Sequence, residues 1–143
     1  MAASERALVL VLRAFGALDL FAFSAVVMPR PWMAAAHAWV GLGTLPEAPI
    51  VGYLARSASA LYALHGAMIL YISFDVRRYW RLITFLAVAA LVHGAVMAGI
   101  DFAVGMPRSW AFAEGPCFAA TGAIVLLVQS LSGKRDDSGG PGG

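Results

Sequence analysis

Three ionisable side chains, Arg56, Asp101 and Glu114, lie inside long apolar runs of this sequence. A charge facing lipid is costly, so each is expected to have a partner. Counted along ideal helices, all three fall roughly 5–9 Å below one end of their runs, which puts them at one level. An arginine fork suits such a site, because it engages carboxylates in pairs and keeps its charge. Asp19, nine residues before Met28, lies deeper on the first run. One arginine cannot neutralise three carboxylates, so the constellation carries excess acid. It is either an ion-paired staple that fixes helix order or a polar pocket that takes a proton, a cation or a ligand. The candidate pocket has Arg56, Asp101 and Glu114 at its core and Asp19, His37 and His93 beside them. Arg30 and Arg108 frame its mouth.

Two histidines, His65 and His93, sit at mid-depth on neighbouring runs. They raise the question of haem b. Counted from the turn near Val76–Arg77, they stand about 17 Å and about 25 Å up, a mismatch of roughly 8 Å for ligands of one iron. Hydrogen bonds across helices are the expected use of these rings. There is no Cys/His cluster of the kind zinc requires, so no metal centre is expected. Pro116 removes a backbone donor inside the fourth run and is expected to kink that helix beside Glu114.

The elements that position these residues follow from composition. The chain has 143 residues, 61% hydrophobic and 13% charged. Soluble domains run near half apolar and a quarter charged. Four apolar runs lie at about 7–28, 50–74, 79–104 and 110–131. Each reaches the roughly 20 residues a helix needs to cross a bilayer. Sustained period-two alternation is missing, so strands are not expected. The predicted fold is all-α: an up-down bundle of four transmembrane helices in one domain spanning residues 1–131. Arg13 and Asp19 interrupt the first run. It is therefore read as a span and not as a signal peptide.

Between the first two runs, 31–40 reads as a short interfacial helix, with Pro31 near its start and Gly41 after its end. Trp32 and Trp39 share one of its faces. Asp75–Arg78 reads as a tight hairpin, and 132–143 as a disordered cytoplasmic tail. Lys and Arg gather at the N-terminal end, at that hairpin and in the tail, whereas the other two connections hold only Arg30 and Arg108. The positive-inside rule then puts both termini in the cytoplasm, most naturally of a bacterial plasma membrane.

Small residues at spacing four mark candidate packing seams: Ala55, Ser59, Ala63 and Ala67; Gly94 and Ala98; Gly115, Ala119 and Ala123. One internal echo stands out. Met28-Pro29-Arg30-Pro31-Trp32 matches Met106-Pro107-Arg108-Ser109-Trp110 at four of five positions. It reads either as a duplicated hairpin or as convergence on a Pro stop, a snorkelling Arg and a Trp anchor.

A net charge of +2 and the lack of a basic, aromatic surface pattern argue against nucleic acid as a partner. Phosphate loops, nucleophile elbows, HExxH and CxxC motifs are missing, so a catalytic role is not expected. The lone Cys117 reads as a packing residue. The expected partners are membrane lipids, with a homo-oligomer or larger membrane complex open. Three function classes follow. One is a non-catalytic accessory, assembly or small-ligand-binding protein with an outward-facing polar pocket. The second is a dimeric small transporter or proton-coupled permease. The third is a haem- or quinone-binding electron-transfer subunit.

Overall fold

The computed structural model describes residues 3–137, with side chains for residues 3–132. Among the described residues the chain is all-helical. The first apolar run forms α1 (Ala3–Phe21) and, after a turn at Ala22, α2 (Phe23–Val27). The connection folds as α3 (Arg30–Trp39), preceded by Pro29, close to the expected 31–40. Next come α4 (Pro49–Ile72), α5 (Trp80–Val104), the short α6 (Arg108–Ala111) and α7 (Glu114–Asp137). Residues 138–143 of the expected tail lie outside the described residues, and α7 continues past 131 to Asp137.

Among the described residues, three segments are long and apolar enough to cross a membrane: Ala3–Val27, Trp80–Val104 and Arg108–Ser132. The 24-residue α4 is not among them, because Arg56, His65 and its tyrosines lower its hydropathy. The surface fits a lipid environment. Leu10 is 72% exposed, Phe21 73% and Phe85 66%. Soluble monomers avoid so much contiguous apolar surface.

The helices pack in the order α4–α1–α7–α5. Two antiparallel hairpins, α1/α4 and α5/α7, are joined where α1 meets α7. Although consecutive in sequence, α4 and α5 do not pack along their lengths. Glycine sets both tight crossings. A Cβ on Gly66 would stand 2.5 Å from the Gly16 carbonyl, and one on Gly94 2.5 Å from the Gly115 carbonyl. The second crossing is the seam expected from Gly94, Ala98, Gly115 and Ala119. The first uses Gly16 and Gly66, which the spacing of small residues did not single out.

Polar contacts set the register of the first hairpin. Arg77 donates to both Glu5 oxygens at 2.8 and 3.1 Å, and Arg13 donates to Ser73 Oγ at 3.4 Å. On the second hairpin, buried Gln129 accepts from Thr84 Oγ1 at 3.0 Å and donates to the Trp80 carbonyl at 2.9 Å. The apolar core lies at this 73–79 end, where Leu8, Leu12, Ile72, Ile83 and Val125 meet. Towards the α3 end the helices separate around open volume.

Candidate functional site

A carboxylate–imidazole contact joins α1 to α4. Asp19 Oδ2 and His65 Nδ1 lie 2.8 Å apart. The tight Gly16–Gly66 crossing brings the two backbones together one turn away, so both side chains are held across a short gap. Asp19 is mostly covered and the His65 ring is about half open.

This pair stands where two cavities adjoin. The central cavity, about 190 Å³, is lined by Leu12, Ile69, Ile83 and Val125 with Asp19 and His65 at its edge. The distal cavity, about 360 Å³, lies towards the α3 end and is bounded by Asp19, Tyr62, Trp110, Glu114 and Phe118. Leu18, Asp19, Cys117 and Phe118 line both. All four long segments wall the central cavity.

Both interrupted helices border the distal cavity, through Ala22 between α1 and α2 and Ala113 between α6 and α7. Two i→i+3 bonds, Ala22 N–H to the Asp19 carbonyl and Ala25 N–H to the Ala22 carbonyl, close the first interruption. Non-helical backbone at this depth is tolerated where it lines a cavity. Glu114 opens α7 and accepts the Trp110 indole N–H across the second interruption. Tyr62 stacks on Phe118 at 5.8 Å and 15°, forming an aromatic wall between α4 and α7.

The residues expected to form one network are dispersed. Arg56 does not meet a carboxylate among the described residues. Its Nε donates to the Val26 carbonyl and its Nη2 to the Met28 carbonyl, both at 3.1 Å, and its Nη1 to the Gly52 carbonyl at 3.4 Å. The first two acceptors end α2, whose last carbonyls have no helical donors. Arg56 therefore caps the first segment. The register explains the difference: α4 begins above the end of α2, so Arg56 is level with Met28 rather than below it.

Asp101 is 3% exposed, and its Oδ2 has no hydrogen-bond partner among the described residues. It lines neither cavity. Glu114 does border the distal cavity, as Asp19 does. His37 Nδ1 lies 3.1 Å from the Gly43 carbonyl, and Arg30 donates to the Pro46 carbonyl at 3.0 Å, so both shape the connection after α3. Arg108 opens α6 and is exposed, with no side-chain partner among the described residues.

The two histidines have different surroundings. His65 faces the central cavity, whereas His93 is exposed and packs edge-on against Phe118 at 4.9 Å. Bis-imidazole ligation needs both rings on one iron, and here only His65 faces the volume that could hold one. Pro116 does not kink a helix already under way. It falls in the first turn of α7, where a missing N–H costs nothing, and the bend lies just before it at Phe112–Ala113.

Tyr62, Phe118 and the His65 partnership with Asp19 escaped the sequence reading. The α1/α4 register is the signal that finds them, because Glu5–Arg77, Arg13–Ser73 and Asp19–His65 follow one antiparallel ladder. No protein-family model, curated protein or solved structure matches this chain, so the site is read from its own residues.

Proposed function

We propose that this is a four-span integral membrane protein that binds a small amphiphile in its interior and does no covalent chemistry on it. The observation that carries this is the pair of adjoining cavities that share Asp19. One is apolar enough for a hydrocarbon portion, and the other is lined by acids and aromatic rings. Ligand sites of this kind are mostly apolar, with a few convergent polar groups.

The fourth crossing is α4, a helix of 24 residues. At the helical rise that length spans about 36 Å, enough for a hydrocarbon core of about 30 Å. Three of its polar side chains are matched inside the protein: Arg56 by carbonyls, Ser59 by the Ala55 carbonyl and His65 by Asp19. Such pairing lowers the cost of burial in lipid. Both termini then face the cytoplasm by the distribution of Lys and Arg, and the distal cavity lies in the outer leaflet.

Native mass spectrometry of protein released from its own membrane tests the binding role. The expected result is a retained small molecule that is lost in Ala90→Phe, which fills the central cavity, while the melting temperature holds. A wild-type protein with no adduct, or one equally loaded after the substitution, contradicts it.

A second reading has specific support. Interrupted spans bordering one cavity, with a carboxylate–imidazole pair at its floor, are features of proton-coupled carriers. Uptake into proteoliposomes that depends on a pH gradient and vanishes in Asp19→Asn would establish it.

A further inference from the structure

We infer that the distal cavity is a subsite for an organic cation, such as a quaternary or protonated amine, whose apolar remainder extends into the central cavity. This rests on the amphiphile-binding reading above and specifies its ligand. The argument begins with charge. Asp19 and Glu114 both line this cavity, Asp19 from α1 and Glu114 from α7. Asp19 has His65 as its partner, but Glu114 has only the neutral indole N–H of Trp110 among the described residues. The basic residues that sequence placed nearby do not compensate. Arg56 is committed to the Val26 and Met28 carbonyls, and Arg108 is exposed and pairs with neither acid. Even with His65 protonated, the site holds one carboxylate without a fixed positive partner among the described residues. An uncompensated charge among apolar side chains is costly, and a bound cation offsets that cost.

Shape selects the kind of cation. A bare metal ion needs several oxygen ligands close together. Among the described residues no group of three or more His, Cys, Asp or Glu side chains could hold one. Three aromatic residues, Tyr62, Trp110 and Phe118, share the rest of the wall with Leu18, Ala22, Ala113 and Cys117. Aromatic faces attract alkylammonium groups through the ring quadrupole, more strongly where water is excluded. Two acids and three rings around about 360 Å³ suit an alkylated nitrogen better than a hydrated ion. Beyond Asp19 the central cavity is hydrocarbon-lined, through Leu12, Ile69 and Ile83, so the ligand is an amphiphile with its charge at one end.

The test is equilibrium dialysis against protein in nanodiscs, with empty nanodiscs as blank. The probes are benzyltrimethylammonium and its neutral carbon isostere neopentylbenzene. The cation is expected to bind about tenfold or more tightly than the isostere, the scale of a desolvated cation–π and charge contribution. Glu114→Gln and Asp19→Asn, both close in shape to the native residues, are each expected to weaken the cation about tenfold and leave the isostere unchanged. Glu114→Asp, which keeps the charge, should retain the preference for the cation. Equal binding of both probes, indifferent to either substitution, overturns the cation assignment and leaves the amphiphile reading standing. Binding of neither probe, with protein that melts normally, overturns both. A cation preference that survives Glu114→Gln and Asp19→Asn together also overturns the assignment, because the charge would then reside elsewhere.

Discussion

At the scale of single residues, Arg56, Asp19, Glu114 and Asp101 solve the same problem in different ways. Arg56 gives its donors to carbonyls at the end of α2, and Asp19 takes an imidazole. Glu114 takes an indole, and Asp101 is left with a buried oxygen unpaired among the described residues. Their energetic signs therefore differ. Arg56→Ala is expected to cost about 2–3 kcal/mol, since it strips charge-assisted bonds from two end carbonyls. Exposed Arg6→Ala should stay within about 0.5 kcal/mol. Melting of the detergent-solubilised protein measures both, and equal tolerance would remove the capping role. Asp101→Asn is expected to raise the melting temperature, because it removes a carboxylate whose buried oxygen has no partner; a fall would reveal one. The sequence identified all four groups as needing partners. It misassigned the partners because depth was counted from the nominal ends of each run. The connection after α3 lifts the start of α4 above Met28, and that displacement is not encoded in the apolar runs.

At the scale of elements, glycine controls the helix crossings. Gly94→Ala would push a methyl group to 2.5 Å from the Gly115 carbonyl, so α5 and α7 must separate. A loss of about 2–4 kcal/mol is expected, in the range of core overpacking or more. Gly99, on the same helix, has open space within 4 Å of where a Cβ would stand. Gly99→Ala should therefore be neutral or stabilise by up to about 1 kcal/mol. Thermal melts of the pair separate packing from helix propensity, and equal losses would argue that propensity governs both. This seam was legible from Gly94, Ala98, Gly115 and Ala119, as was α3, whereas the hairpin expected at Asp75–Arg78 is a turn whose flanking helices α4 and α5 do not pack against each other along their lengths. The interruption at Ala22 was not. Phe21–Ser24 holds neither Gly nor Pro, and the i→i+3 turns there arise where α1 runs against Gly66 and opens onto a cavity. At the other interruption, Pro116 is the conspicuous residue, but the break falls between Ala111 and Glu114.

The two Met-Pro-Arg corners also agree in backbone. Pro29 precedes α3 at φ −58° and ψ 143°, and Pro107 precedes α6 at φ −52° and ψ 139°. The echo in sequence is thus an echo in local structure. The hairpins are not equivalent as packed units, however. Contact between α1 and α7 has no counterpart between α4 and α5. That asymmetry leaves the volume in which the Asp19–His65 pair sits.

At the scale of the whole molecule, the main apolar core lies at the 73–79 end, and an open groove lies between the helices towards the α3 end. Such a distribution ties the helices together at one surface and leaves room for a guest near the other. Composition made the membrane setting plain, because so much apolar surface has to face lipid. It did not reveal the cavities, which depend on which pairs of helices touch. The Asp19 junction depends on α4 crossing the membrane beside α1, since without that crossing His65 leaves Asp19 and the central cavity loses a wall. The most direct measurement is the sidedness of both termini, read with an accessible tag at each end in intact cells and after permeabilisation. Four crossings put both tags on the same, cytoplasmic side, reactive only after permeabilisation. Tags on opposite sides mean three crossings, place α4 outside the membrane and contradict the site.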